Sequence, residues 1–228
     1  MLSPAEQEVV LLSIRVAAFA VFASLLPGVL VGWLLARWQH PLRALVQGLV
    51  MLPLVLPPVV TGYLLLSALG RSRPLGEAWH ALTGGHVAYT TWACVIAASV
   101  VGFPLLVEAI RIAMLGIDPR LEAVSRSLGR GRLDTFWRVT FPLALPGVIA
   151  GAVLSFARAL GEFGATIVLA GNVAGETRTI PLAVYTLLNV RGGEASALRL
   201  VAVSVALALA ALLGSFWLSA RQRRARGT

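Results

Sequence analysis

Five stretches of the chain contain no Asp, Glu or Arg at all: residues 16–36, 44–70, 78–107, 139–157 and 200–220. Each approaches or exceeds the ~20 apolar residues that a bilayer-spanning helix requires. The pattern therefore predicts an all-α polytopic membrane protein, one transmembrane domain of 228 residues. About five transmembrane helices are expected, near 10–36, 45–69, 87–107, 140–158 and 200–219. Two further charge-free runs, 163–175 and 179–190, are shorter and interrupted by Gly171 and Pro181. They predict half-helices or interfacial segments.

Between the third and fourth spans lies a polar segment, residues 118–142, whose core reads LEAVSRSLGRGRLDTFWRVTFP. It is too charged for lipid. Asp118-Pro119 reads as a helix start, with Asp as the cap and Pro in the first turn. A short helix follows through Glu122 to Leu128, Gly129 and Gly131 break it, and a second short helix over 133–139 leads to Pro142 and the membrane. Leu121, Val124 and Leu128 recur at helical spacing and make one apolar stripe. A cytoplasmic docking partner and a bed of lipid headgroups would each cover such a stripe, and periodicity alone does not separate them.

Charge orients the chain. An odd number of spans puts the termini on opposite faces. In one orientation the cytoplasmic side holds Arg37, Arg43, Arg111, Arg120, Arg126, Arg130, Arg132, Arg138, Arg221, Arg223, Arg224 and Arg226. The other side keeps only Arg71, Arg73, Arg178 and Arg191 between spans. The positive-inside rule then expects the N-terminus outside and the C-terminus in the cytoplasm. The net charge of +9 is accounted for by these flanking arginines, so nucleic acid is not an expected partner and membrane lipid is.

Chemistry is narrowed by what the chain lacks. All 19 Lys or Arg residues are arginine. Without lysine there is no GxxxxGK[ST] phosphate loop and no Schiff base. The lone Cys94 sits mid-span, and His40, His80 and His86 lie at span ends without metal-ligand spacing. No catalytic residue, metal site or cofactor is expected. An energy-requiring process in such a protein must draw on a partner subunit or an ion gradient.

The polar segment resembles the EAA loop of bacterial ABC importer permeases, whose pattern runs EAA, three residues, G, nine residues, I-x-L-P. Gly129 and Pro142 fall on the Gly and Pro positions. Ala123-Val124-Ser125 stands where Glu-Ala-Ala is usual, with Glu122 one position early, a displacement of about 100° around a helix. LPLVLPPVVTGYLLL (52–66), ARALGEFGATIVLAGN (157–172) and GETRTIPLAVYTLLN (175–189) resemble the molybdate permease group, and the likeness covers essentially the whole chain. Sulfate and thiosulfate permeases share similar stretches and form the alternative within the class.

The resemblance implies a type I importer fold, a homodimer of this chain, two copies of a cytoplasmic ATP-binding subunit and an extracytoplasmic molybdate-binding protein. The membrane subunit carries molybdate, with tungstate following, across the bacterial inner membrane by alternating access. ATP hydrolysis is expected in the separate subunit. Glu122, Ala123, Ser125, Leu128, Gly129 and Pro142 would then couple to the ATPase.

Pro53, Pro57 and Pro58 remove backbone donors within the second span, which predicts a kink and makes them pathway or gate candidates. Arg158 and Glu162 are four residues apart, placed to pair or to steer an anion, with Asn172 at the outer mouth. Gly147 and Gly151 predict a close helix contact. An ion-coupled secondary transporter would show repeats and intramembrane acids. Glu108 and Glu162, both near span ends, are the only acids offered.

Overall fold

A computed structural model describes residues 2–225, with side chains through Trp217. The described residues form eleven α-helices and one π-turn. The side chains of Arg221, Arg223 and Arg224, and the whole of Arg226, lie outside the described residues.

Helix α1 (Pro4–Arg37) begins earlier than hydrophobicity alone predicts. A capping box starts it, Glu6 N donating to Ser3 Oγ (3.3 Å) and Ser3 N to Glu6 Oε2 (2.7 Å). Glu6 is carried into the bundle by its ion pair with Arg199, at 2.8 Å.

The second span is not one helix. α2 (Leu42–Val55) and α3 (Pro58–Leu69) meet at 112°. Leu56 and Pro57 each precede a proline, and both take the extended ψ, 143° and 132°, that this placement favours. The helix must stop there, and Pro58 restarts it as first residue, where a missing N–H costs nothing.

After α4 (Pro74–Thr83), which closes on Gly84, α5 (Thr91–Leu115) runs past the expected end near 107. Glu108 and Arg111 pair within the helix, Arg111 Nε donating to Glu108 Oε2 at 2.8 Å, so neither enters the interface unpaired. The polar segment forms α6 (Pro119–Ser127), α7 (Arg132–Thr135) and the π-turn Phe136–Thr140. α8 (Phe141–Leu160), α9 (Gly164–Leu169), α10 (Ile180–Leu188) and α11 (Glu194–Ala225) complete the chain. Four helices are long and apolar enough to cross a membrane, or five crossings if α2–α3 counts as one broken span.

α5 is the central post, packed along both α1 and α8, which also touch each other. Small residues set the spacing. A methyl group on Gly147 would overlap Ala113, and one on Gly151 would lie 3.0 Å from Ala109 Cβ. Two apolar cores lie along this post, and a third, around Ile180, Ala183 and Leu200, joins α10 to α11. Of the first two, one, around Leu106, Ile110, Met114, Ala144 and Val148, sits toward α6; the other, around Val16, Ala97, Val101, Leu160 and Leu169, sits at the opposite end.

α11 starts at that opposite end, beside Glu6. Its 32 residues, about 48 Å at 1.5 Å each, carry it toward the α6 end. The described residues therefore begin and finish at opposite ends of the bundle.

Candidate coupling site

At the α6 end, local sequence rules build a compact helical bracket. Asp118 Oδ1 accepts from Arg120 N at 2.9 Å, capping α6 as Pro119 opens it. The helix closes on Gly129, whose φ is +83°. Gly129 N donates to Arg126 O (3.0 Å) and Arg130 N to Ser125 O (3.4 Å), the paired bonds of a Schellman stop.

The next helix differs from expectation. The short helix expected over 133–139 is not a separate element. α7 widens into the π-turn, in which Phe141 N reaches Phe136 O five residues back, and continues directly into α8. A π-turn spares the crowding that a proline ring imposes on a strict four-residue ladder.

α6 has two unlike faces. On one, Leu121, Val124 and Leu128 are 48%, 58% and 74% exposed, and Leu133 beyond the turn extends the apolar patch. On the other, Glu122 Oε1 accepts from Arg37 Nη2 at 2.6 Å and from Thr140 Oγ1 at 2.8 Å. One carboxylate thus joins α6 to the last turn of α1 and to the root of α8. Ser125 and Thr135, both buried, share a hydroxyl hydrogen bond of 3.1 Å across the glycine turn.

The six residues assigned to coupling therefore divide by face. Glu122 and Ser125 hold the bracket from within, Ala123 and Leu128 lie outside, Gly129 makes the turn and Pro142 occupies the first turn of α8. Arg37, Thr135 and Thr140, which complete it, are not marked by any spacing in the sequence.

At the elbow between α2 and α3, the chain leans on α9. A Cβ at Gly62 would meet the Ala165 backbone at 2.8 Å, and one at Gly164 would meet Pro58 at 2.7 Å. Glu162 anchors α9. Its Oε1 accepts from Ala165 N at 2.8 Å, and its Oε2 pairs with Arg158 Nη1 at 2.7 Å. The Glu162 side chain is 2% exposed and that of Arg158 27%, so the pair faces inward at the glutamate.

Asn172 is engaged at both ends of its amide, accepting from Arg178 Nε and donating to Thr186 Oγ1, each at 2.8 Å. Thr177 Oγ1 accepts from Val173 N at 2.9 Å, and Cys94 Sγ lies 3.6 Å from Thr177 O. The bonds from Arg178 and Val173 fold the 170–179 loop on itself, and those to Thr186 and Cys94 tie it to α10 and α5.

The histidines are tied to local structure. His40 Nδ1 accepts from Leu42 N at 3.2 Å, and the rings of His80 and His86 stack at 4.7 Å. Loss of water around His86, with repulsion from Arg71 and then His80, lowers its pKa below the usual histidine value. Among the described residues no three His, Cys, Asp or Glu side chains are grouped to hold a metal ion.

A protein-family model described as the binding-protein-dependent transport system inner membrane component matches residues 28–227. The chain is 49% identical over 226 residues to the molybdenum transport system permease protein ModB of Escherichia coli K12, covering 99% of each. It is 45% identical over 216 residues to ModB of Haemophilus influenzae, covering 95% of this chain and 94% of that one.

Solved structures share the fold at low identity. The MetNI methionine ABC transporter aligns with a TM-score of 0.74 at 15% identity, covering 96% of this chain and 99% of that one. A bacterial importer of alginate aligns with a TM-score of 0.72 at 16% identity, covering 96% and 80%. The chain is an all-α multi-pass membrane protein with the fold of the ABC importer permeases, and it belongs to the family of inner-membrane components of binding-protein-dependent transport systems.

Proposed function

We propose that this chain is the membrane-spanning subunit of an ATP-driven importer that carries molybdate, with tungstate following, into the cytoplasm. The observation that carries the reading is the two-faced α6. Its apolar side is open for a partner, while Glu122 ties its other side to α1 and α8. A push on that face enters two membrane helices through one rigid bracket. The choice of anion rests on the molybdenum permeases to which the chain is nearly half identical along its whole length.

Two ATP-binding subunits would dock on the α6 faces of two copies of this chain, with a molybdate-binding protein on the far side. The N-terminus would lie outside, because the arginines concentrate at the α6 end. ATP binding closes the ATPase pair, the bracket carries that motion inward, and the bundle alternates between its two openings. Such coupling requires the ligands at both sites to favour particular states.

The elbow at Pro57 and Pro58, with Pro53 before it, is where the second span can change direction, and we assign the gate to it. Arg158 and Glu162 hold α9 against this elbow, a positioning role. The loop of Asn172 forms the outer rim.

Arg158→Gln leaves a buried carboxylate without its cation, a loss of about 3–5 kcal/mol in comparable pairs. Thermal stability of the purified complex should fall markedly, and Arg158→Gln combined with Glu162→Gln should recover part of it. A variant that instead keeps its stability but loses uptake only at limiting molybdate would assign Arg158 to steering.

Substrate choice is tested by competition. Vesicles containing the chain, its ATPase and the binding protein should take up labelled molybdate, and excess tungstate should compete while excess sulfate should not. Preferential sulfate transport would overturn the substrate and leave the importer intact.

A further inference from the structure

Behind α6, on the side away from the exposed leucines, lies a cleft of about 500 Å³ lined by Arg37, Gln39, Arg126 and Arg132 among others. Arg37 is paired with Glu122, yet its Nε is buried without a hydrogen-bond partner. Among the described residues neither Arg126 nor Arg132 pairs with a carboxylate, whereas neighbouring Arg130 and Arg138 both meet Asp134. With one acid against three arginines, the cleft keeps a net positive charge.

A second hollow, about 410 Å³, runs between α1 and α8 and is lined by Leu26, Val29, Phe141, Leu145, Val148 and other apolar residues. Aromatic rings lie between the two. Trp33 and Phe136 of the cleft meet edge to face at 5.7 Å, and Phe136 in turn lies 5.2 Å from Trp137 and 6.0 Å from Phe141 of the groove. A cationic cleft at the end of a bundle, next to an apolar groove along the bundle and separated from it by a cluster of aromatic rings, has the polarity of one amphiphile with an anionic head and a hydrocarbon tail.

We propose that the cleft and groove together bind one anionic phospholipid from the leaflet at the α6 end, its phosphate among Arg37, Arg126 and Arg132 and an acyl chain between α1 and α8. The charge of the cleft selects this occupant over a zwitterionic lipid, and the groove selects it over a free anion. Because Arg37 and Glu122 border the cleft, the lipid sits against the bracket that joins α6 to the membrane helices. The site is independent of which anion the protein carries.

The full-length chain in detergent, titrated with phosphatidylglycerol or phosphatidylcholine of equal chain length and followed by native mass spectrometry, tests it. Phosphatidylglycerol should bind on the order of tenfold tighter, since each basic group near an anionic head contributes several-fold. Arg126→Gln with Arg132→Gln should bring the two lipids to near-equal affinity. Arg130→Gln with Arg138→Gln should leave the preference intact.

Ile149→Trp, which fills the groove, should weaken both lipids while preserving their ratio. Equal binding of the two lipids by the unmodified chain, equal effects of the two arginine pairs, or an unaffected Ile149→Trp variant would overturn the proposal. So would loss of lipid in step with dimer formation, which would make a second copy of the chain the occupant.

Discussion

Glu122→Ala will separate ATP hydrolysis from transport: the assembled complex will still hydrolyse ATP, while ATP-driven molybdate uptake falls by an order of magnitude or more. Glu122 contributes two bonds, one to Arg37 and one to Thr140, and both end on membrane helices or their roots. Hydrogen bonds to charged groups contribute about 1.5–3 kcal/mol each. The Glu122 and Arg37 side chains are 16% and 24% exposed, so solvent screens the pair partly and the lower figure applies. Even one such loss corresponds to about tenfold in the population of the coupled arrangement.

The alanine variant keeps the apolar docking face, because Leu121, Val124 and Leu128 lie on the other side of α6. Glu122→Gln retains an acceptor and should fall between the two. ATPase and uptake rates measured on the same vesicles decide the matter, and undiminished uptake in the alanine variant would remove Glu122 from the coupling path.

Gly129→Val will fail where Gly131→Ala succeeds. The two glycines sit two residues apart in one turn and neither has a neighbour within 4 Å of an added methyl, so packing predicts no difference between them. Backbone conformation does. Gly129 has φ +83°, while Gly131 has φ −68°, open to any residue. An L-residue in the left-handed region costs about 1–2 kcal/mol, and a β-branched one suffers most.

Valine at 129 therefore opposes the Schellman stop and swings α7 away from α6, loosening the Ser125–Thr135 hydroxyl bond that spans the turn. Co-purification of the ATPase subunit and ATP-driven uptake should both drop several-fold in Gly129→Val and stay unchanged in Gly131→Ala. Equal behaviour of the two variants would show that the turn does not organise the docking face.

Much of this arrangement is legible in the sequence. The helix start at Asp118-Pro119 and the stop at Gly129 follow from short-range backbone rules, and the structure places both there. The apolar stripe on α6 came from periodicity, and the close approach at Gly147 and Gly151 from residue size.

Two features were hidden for different reasons. Hydropathy measures the polarity of a stretch and not its direction. It gives 45–69 as one span, and although the three prolines predict a kink there, the 112° size of the elbow depends on how α3 finds α9. The partners of Glu122 were hidden because Arg37 is 85 residues away and Thr140 18 residues away, distances that no local pattern encodes. The shift of the acidic residue by one position from the usual motif looked like a departure. In the fold, Glu122 is the residue that turns inward, and Ser125 beside Thr135 supports it.

In the proposed mechanism ATP, acting on a partner subunit through α6, drives an anion across the bundle. The most direct measurement is labelled molybdate uptake into sealed vesicles holding this chain and its ATPase, with binding protein outside the substrate-facing side and nucleotide on the α6 side. Accumulation should require ATP, stop with ADP, and disappear without binding protein. Uptake that proceeds equally without ATP, or that follows an imposed proton or sodium gradient instead, would exclude ATP-driven import through α6.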